Sequence, residues 1–157
     1  MENRITIIEK DITTIESGII CHQVNCQGRM GSGVALSIAK KWPQALKEYS
    51  KFCKMFPFGK ALGACQVIQL KDNPALRICN IFGQNNYGSP SKNETTYTDY
   101  RAVDNAFNSF TKYKQYQLFD VYVPWMMGCY RGGGNWDIYK SIIEKYIPNV
   151  IYCKWKG

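Results

Sequence analysis

The sequence has no apolar run long enough to cross a bilayer, which takes about 20 consecutive apolar residues. Its beginning lacks the charged and then apolar layout of a signal peptide, and no stretch shows repeats or low-complexity composition. We therefore expect the 157 residues to form one domain, residues 1–157. We also expect a cytoplasmic monomer with no membrane partner.

Signatures of metal sites and of disulfide frameworks are also missing. The chain has one histidine, and no two of its seven cysteines form a C-x-x-C pair, so zinc-finger spacings are excluded. An odd number of scattered cysteines is typical of reduced, buried side chains. We therefore expect no metal and no cofactor. Cys26 and Cys129 border glycine-rich segments, where a nucleophilic role stays open.

Basic residues outnumber acidic ones by 20 to 12, which gives a formal net charge of +8. Such a balance attracts nucleic acids, membrane surfaces or phosphorylated small molecules. The basic residues are dispersed, however, and Lys40-Lys41 is the densest pair. We interpret the charge as a solvated surface that attracts anions in general. A nucleic-acid binder is the least favoured class, because no interleaved aromatic and basic surface is evident.

Residues 19–35, IICHQVNCQGRMGSGVA, combine an apolar strand, a glycine-rich turn and the start of a helix at Val34. The spacing fits neither the dinucleotide pattern G-x-G-x-x-G nor the phosphate loop G-x-x-x-x-G-K-[ST]. Glycines still allow close approach of the main chain, and the first N–H groups of a helix attract anions. A phosphate-type ligand is the favoured interpretation; a turn that only permits close packing is the alternative.

Strands and helices alternate along the rest of the chain. A second glycine-rich segment, residues 124–134, also follows a strand, and a polar loop covers residues 83–95. We predict a three-layer α/β/α sandwich with a central mixed sheet and a ligand at the carboxyl ends of its strands. Two nests of main-chain N–H groups there suit a diphosphate. The predicted strands cover residues 4–9, 18–24, 65–70, 76–82, 118–123 and 150–155, and the predicted helices begin at 34, 43, 100 and 136.

The run His22-x-x-Asn25-Cys26-x-Gly28-x-Met30-Gly31-x-Gly33-Val34-Ala35 resembles the macrodomains, in particular the branch of ADP-ribose-1″-phosphate phosphatases and Appr-1″-p processing proteins. Macrodomains that remove ADP-ribose from glutamate side chains are similar too. The resemblance covers nearly the whole chain, including residues 10–12, 97–100 and 128–129. It implies a macrodomain fold with ADP-ribose or ADP-ribose-1″-phosphate as ligand, and ADP-ribosylated macromolecules as further partners.

The resemblance also implies roles for individual residues. Asp11 would bond the adenine amino group, although a turn cap is the plainer interpretation, and Ile12 would offer main-chain contacts. Tyr152 would lie either near the adenine or in the core. The other implied ligand contacts are Gly31, Ser32, Gly33, Val34, Gln84, Met127, Gly128, Cys129, Tyr130, Arg131 and Gly132.

Catalytic residues of the glutamate-specific hydrolases are not matched. Their lysine after the fourth strand and their aspartate in the second loop have no counterpart in residues 83–86 and 128–132, so lysyl chemistry is not expected. What remains is His22 as a general acid or base that titrates near physiological pH, with Asn25 orienting the distal ribose or a water. Arg131 and main-chain amides would stabilise the leaving phosphate. The plainer interpretation makes His22 structural.

Three functions therefore stay open. The first is hydrolysis of ADP-ribose-1″-phosphate to ADP-ribose and phosphate. The second is a non-catalytic ADP-ribose reader, which the missing acidic residues favour. The third is removal of ADP-ribose from modified protein or from a nucleic-acid end by a substrate-bound water.

Overall fold

A mixed sheet of six strands runs through the computed structural model, which describes residues 4–88, 96–113, 115–129 and 132–155. The strand order is β1-β6-β5-β2-β4-β3, and every neighbouring pair is parallel except β3 with β4. The carboxyl ends of five strands therefore meet at one edge. The strands are β1 (Thr6–Glu9), β2 (Gly18–Val24), β3 (Cys65–Gln69), β4 (Leu76–Phe82), β5 (Val121–Pro124) and β6 (Ile151–Lys154).

Helices cover both faces of this sheet, which confirms the predicted three layers. Ile19 and Cys21 of β2 pack among residues of α3 and α4, whereas Ile20 packs with Ile38 of α1 on the opposite face. This division follows from the alternation of side chains along a strand. The helices of the described residues are α1 (Gly33–Lys41), α2 (Pro43–Met55), α3 (Tyr100–Thr111) and α4 (Trp136–Tyr146).

Local signals in the sequence set most helix starts. Pro43 occupies the first turn of α2, and the side chains of Asp99 and Asn135 accept main-chain N–H bonds at the starts of α3 and α4. The prediction that β5 begins at residue 118 is wrong, because Tyr116–Leu118 forms a 3₁₀ turn and the strand begins at Val121.

The predictions about cysteines and membrane spans have the following outcomes. All seven cysteines are free, and five of them are buried. In the described residues, no helix combines the length and apolar character that crossing a bilayer needs. Residues 89–95 of the predicted polar loop lie outside the described residues.

Candidate functional site

A cleft of about 630 Å³ lies at the edge where the parallel strands end. Its volume falls within the range of about 300–1,000 Å³ that is typical of small-molecule sites. Three segments line it: the end of β2 with the first glycine loop and the start of α1, the residues after β4, and the residues after β5. The lining residues are His22, Gln23, Val24, Asn25, Arg29, Gly31, Ser32, Gly33, Val34, Ala35, Gln84, Tyr87, Gly88, Pro124, Trp125, Met126, Met127, Gly128 and Gly132.

The side chain of Asn25 shapes the first glycine loop. Its Oδ1 accepts from the Gln27 amide at 2.9 Å and from the hydroxyl of the fully buried Tyr49 at 2.8 Å. Its Nδ2 donates to the carbonyl of Arg29 at 2.8 Å. An amide nitrogen has two N–H donors, so one of them is left for a ligand. Asn25 is therefore a loop-forming residue with one donor to spare.

Open space lies above the glycines of this loop. A Cβ atom built at Gly28, Gly31 or Gly33 meets nothing within 4 Å. Gly28 and Gly33 also have φ values of +77° and +60°, which favour glycine. Ser32 precedes α1 without capping it through its side chain, so the first N–H groups of that helix lack their usual acceptor. Main-chain donors in such an arrangement can bind an anion.

The glycines after β4 and β5 are needed for a different reason, because they pack against other side chains. A Cβ at Gly83 would lie 2.3 Å from Oε1 of Gln23, and one at Gly132 would lie 2.3 Å from Oγ1 of Thr98. At Gly128 it would lie 2.4 Å from the Tyr139 ring. All three distances are too short for any side chain. The main chain therefore packs directly against these interior groups at all three glycines.

Gln23 is the centre of that packing. Its Nε2 donates to Oε1 of Gln84 at 2.7 Å and to Oγ1 of Thr98 at 2.9 Å, and its Oε1 accepts from the Tyr139 hydroxyl at 2.7 Å. Thr98 in turn donates to the carbonyl of Gly128 at 2.7 Å. Both N–H donors of the amide are used. Through Gln23, β2, the segment after β4, the second loop and α4 hold one another in place.

His22, the neighbour of Gln23, points to the opposite face of the sheet and is 1% exposed. Its Nε2 lies 2.6 Å from Oδ1 of Asn80 on β4. Burial lowers the pKa of His22 to about 4, against a raising contribution from Asn80. The expectation that His22 titrates near physiological pH is therefore wrong, and the ring is neutral at pH 7. Its Nδ1 has no hydrogen-bond partner among the described residues.

An unpaired buried acceptor costs about 1–3 kcal/mol of folding free energy. Such atoms are rare in folded proteins and often mark a site of ligand binding or catalysis. His22 is also part of the cleft lining. The buried Nδ1 of a cleft residue is therefore left with unused hydrogen-bonding capacity.

Arg29 and Tyr87 form an outer rim of the cleft. The guanidinium carbon of Arg29 lies 6.0 Å from the centroid of the Tyr87 ring, and both side chains are exposed. Among the cleft residues that the structure describes, Arg29 alone carries a formal charge at pH 7. A second anionic group on a ligand would find its cation there.

Comparisons with known proteins identify this arrangement. The sequence model of the Macro domain family matches residues 21–143. The chain belongs to the macrodomain family. Solved structures agree: a protein of unknown function from Bacteroides thetaiotaomicron is 25% identical, covers 98% of both chains and has a TM-score of 0.81. A Thermosipho africanus DarTG structure in complex with ADP-ribose has a TM-score of 0.75 at 15% identity over 98% of this chain and 42% of that one.

Curated relatives of this macrodomain carry two kinds of name. ADP-ribose 1″-phosphate phosphatases of Candida glabrata and Saccharomyces cerevisiae are 36% and 33% identical over 59% and 48% of this chain. The matches cover 50% and 42% of those two proteins, so the chain spans about half the length of the phosphatases it matches. A DNA ADP-ribosyl glycohydrolase of Mycobacterium bovis is 26% identical over 93% of this chain and 40% of its own length.

Most of the predicted catalytic and ligand-binding residues of the macrodomain meet in the cleft. They come from both glycine-rich loops and from the segment after β4, which are far apart along the chain. Residues His22, Asn25, Gly31, Ser32, Gly33, Val34, Gln84, Met127, Gly128 and Gly132 line it. Tyr130 and Arg131 lie outside the described residues.

Asp11 and Ile12 follow β1 and do not line the cleft itself. Oδ1 of Asp11 accepts from the amide and the hydroxyl of Thr13 at 2.9 and 2.8 Å, which is the turn cap that the sequence also allowed. Ile12 is buried. β1 lies two strands from β5, at about 10 Å, and ends at the same edge. Asp11 therefore flanks the cleft on the side of β6.

Tyr152 belongs to the core and not to the cleft. Its side chain is fully buried, and its hydroxyl donates to Glu144 at 2.8 Å. The aromatic residue of the cleft on this side is Trp125, whose ring meets that of Tyr152 edge-on at 5.5 Å. Sequence reasoning missed Trp125, although the residue directly follows a strand within a glycine-rich segment.

Neither cysteine beside the loops has the properties of a nucleophile. Burial raises the pKa of Cys26 and of Cys129 to about 11 each, so both thiols are protonated at pH 7. Cys129 does not line the cleft, and its Sγ faces the carbonyl of Met127 at 3.4 Å. We conclude that both act as packing residues.

We predict that Gln23→Met lowers the free energy of unfolding by about 1–3 kcal/mol, because Tyr139, Thr98 and Gln84 lose their partner. Denaturant unfolding measures this. Gln27→Met is the matched control, since the Gln27 side chain is exposed and bonds only Asn85. Equal stability of the two variants would contradict the central role of Gln23.

Proposed function

We propose that this chain is a single macrodomain that binds ADP-ribose and hydrolyses ADP-ribose-1″-phosphate to ADP-ribose and phosphate. The observation that carries the proposal is the meeting of two glycine-rich loops at one cleft. The first loop and the start of α1 offer unpaired main-chain donors beneath open space. Such donors suit the diphosphate of a nucleotide sugar.

The strand order gives the ligand a direction across the sheet. Trp125 and Asp11 lie toward β6 and β1, which suits a purine that stacks on an indole and is bonded by a carboxylate. Asn25, His22 and Gln84 lie at the ends of β2 and β4, on the other side of the diphosphate. We therefore propose that the distal ribose lies beside these three residues, with Arg29 at the rim beyond it.

His22 has a role in the proposed reaction that suits its low pKa. A water attacks the phosphorus atom while one of its protons passes to Nδ1 of His22. The bond between phosphorus and the ribose oxygen breaks, and the electron pair stays on that oxygen. The imidazolium, a strong acid because burial disfavours its charge, returns the proton to the same oxygen. The products are ADP-ribose and inorganic phosphate.

Names of relatives support this reaction in part. The two yeast proteins named as phosphatases are the relatives above 30% identity that we compared, although each match covers half of the relative or less. The mycobacterial relative matches more of this chain at lower identity and is named for removing ADP-ribose from DNA. A test of the proposal should therefore measure the release of ADP-ribose from modified DNA or protein in parallel with phosphate release.

A non-catalytic ADP-ribose reader is the second candidate. The specific observation that favours it is the weak basicity of His22, together with the lack of a carboxylate among the described residues of the cleft. Main-chain donors contribute to affinity whether or not a proton is transferred. Binding of ADP-ribose without release of phosphate would support this candidate and contradict the first.

The first prediction of the proposal concerns His22. We expect His22→Ala to lower kcat for phosphate release by about 10²–10⁴-fold, because it removes the group that carries the proton. Affinity for ADP-ribose, measured by calorimetry, should persist. In the wild type, protonation of the base should lower kcat only as the pH approaches 4, separately from the titration of the substrate phosphate near pH 6. Unchanged turnover in His22→Ala would contradict this role.

The second prediction concerns Arg29. We expect Arg29→Gln to raise KM for ADP-ribose-1″-phosphate by about 3–10-fold, because an exposed guanidinium still pairs with a phosphate dianion. The Kd of ADP-ribose, which lacks that group, should change less. Lys40→Gln is the control, since it removes an equal charge from the exposed end of α1 away from the cleft. Equal effects of the two variants would reduce the role of Arg29 to general attraction of anions.

A further inference from the structure

Three polar side chains form a row across neighbouring strands behind the cleft. In the sheet register, Asn80 of β4 is the partner of His22 of β2 and also of Gln66 of β3. All three point to the face covered by α1 and α2. His22 lines the cleft, whereas Asn80 and Gln66 do not. His22 therefore connects those two residues to the cleft.

The direction of every hydrogen bond in this row follows from one main-chain carbonyl. The carbonyl of Glu48 in α2 can only accept, and Nε2 of Gln66 donates to it at 3.0 Å. Oε1 of Gln66 therefore faces Asn80 and accepts from its Nδ2 at 3.0 Å. That bond turns Oδ1 of Asn80 toward His22, at 2.6 Å from Nε2.

An amide oxygen has no hydrogen to donate, so Nε2 of His22 must carry the ring proton. The neutral ring then has its lone pair on Nδ1, the buried atom without a partner among the described residues. The second ring nitrogen of a histidine commonly selects the tautomer in this way. Here the selection begins at a helix carbonyl two strands away.

We propose that Asn80 and Gln66 are positioning residues that hold His22 in its Nε2–H tautomer, so that Nδ1 accepts a hydrogen bond from a ligand hydroxyl or water in the cleft. The inference deepens the proposed function and rests on it for the chemical use of Nδ1. The tautomer itself and the contact with ADP-ribose are properties that can be measured without turnover.

The single histidine of the chain makes the test direct. In protein labelled with ¹⁵N, the two ring nitrogens of His22 give separate signals that distinguish a protonated from an unprotonated nitrogen. We expect an unprotonated Nδ1 and a protonated Nε2 at pH 7. Saturation with ADP-ribose should shift the Nδ1 signal and leave the Nε2 signal nearly unchanged. A protonated Nδ1, or an Nδ1 signal that saturating ADP-ribose does not move, overturns the proposal.

Gln66→Met and Gln66→Glu form a matched pair of variants. Methionine keeps the volume but removes the acceptor, so Asn80 is free to rotate and present its Nδ2 to the ring. Glutamate keeps an acceptor for Asn80 but loses the donor to the Glu48 carbonyl, so it separates the two bonds of Gln66. We expect the Nδ1–H tautomer to gain population in Gln66→Met, and kcat to fall in proportion to the Nε2–H fraction that is lost, with the Kd of ADP-ribose rising by no more than about 10-fold, the effect of one neutral hydrogen bond. Gln66→Glu should retain the Nε2–H tautomer.

The outcomes separate this inference from the proposed function. If Gln66→Met unfolds, the wild-type spectra and Asn80→Asp, which keeps the acceptor toward His22, decide the tautomer. An Nε2–H tautomer in Gln66→Met equal to that of the wild type overturns the role of Gln66. If the wild type binds ADP-ribose and shifts Nδ1 but releases no phosphate, the positioning role stands and the phosphatase function falls.

Discussion

The amide of Gln23 is the interaction on which the rest of the site depends. A ligand held by main-chain donors needs loops of fixed shape, because such loops have no long side chains to adjust. Gln23 supplies this constraint for the second loop through Thr98 and Tyr139, and it joins the same loop to Gln84 after β4. All three hydrogen bonds of this part-buried amide would have to break for the loops to move apart, so the network stabilises one arrangement of the cleft.

Consecutive residues of strand β2 contribute to the site from opposite faces of the sheet. Because side chains alternate across a sheet, Gln23 points toward α3 and α4 while His22 points toward α1 and α2. The first face therefore organises the second glycine loop, and the second face positions a neutral imidazole. Asn25, at the end of the same strand, shapes the first glycine loop. Binding and the proposed chemistry thus depend on three residues within positions 22–25.

Features that depend on near neighbours in the chain could be predicted from the sequence. The glycine loop before α1, the cap at Asn135 and the layered fold belong to this class. The hydrogen-bond network of Gln23 could not be predicted from the sequence, because its partners lie 61, 75 and 116 residues away along the chain. The low pKa of His22 likewise follows from burial in the folded sheet, and its hydrogen-bond partner Asn80 is 58 residues distant. Sequence patterns over a few residues indicate loops and helices. The hydrogen-bond partners of a buried polar side chain depend on which strands become neighbours in the folded sheet.

The central claim is that two loops of different construction grip one diphosphate. A crystal structure of the protein with ADP-ribose tests it most directly. The account predicts diphosphate oxygens within hydrogen-bond distance of main-chain N–H groups of residues 31–35 on one side and of the N–H of Gly128 in the second loop on the other. It also predicts the adenine on the side of Trp125. A nucleotide bound elsewhere, or one whose diphosphate contacts only one of the two loops, would contradict the account.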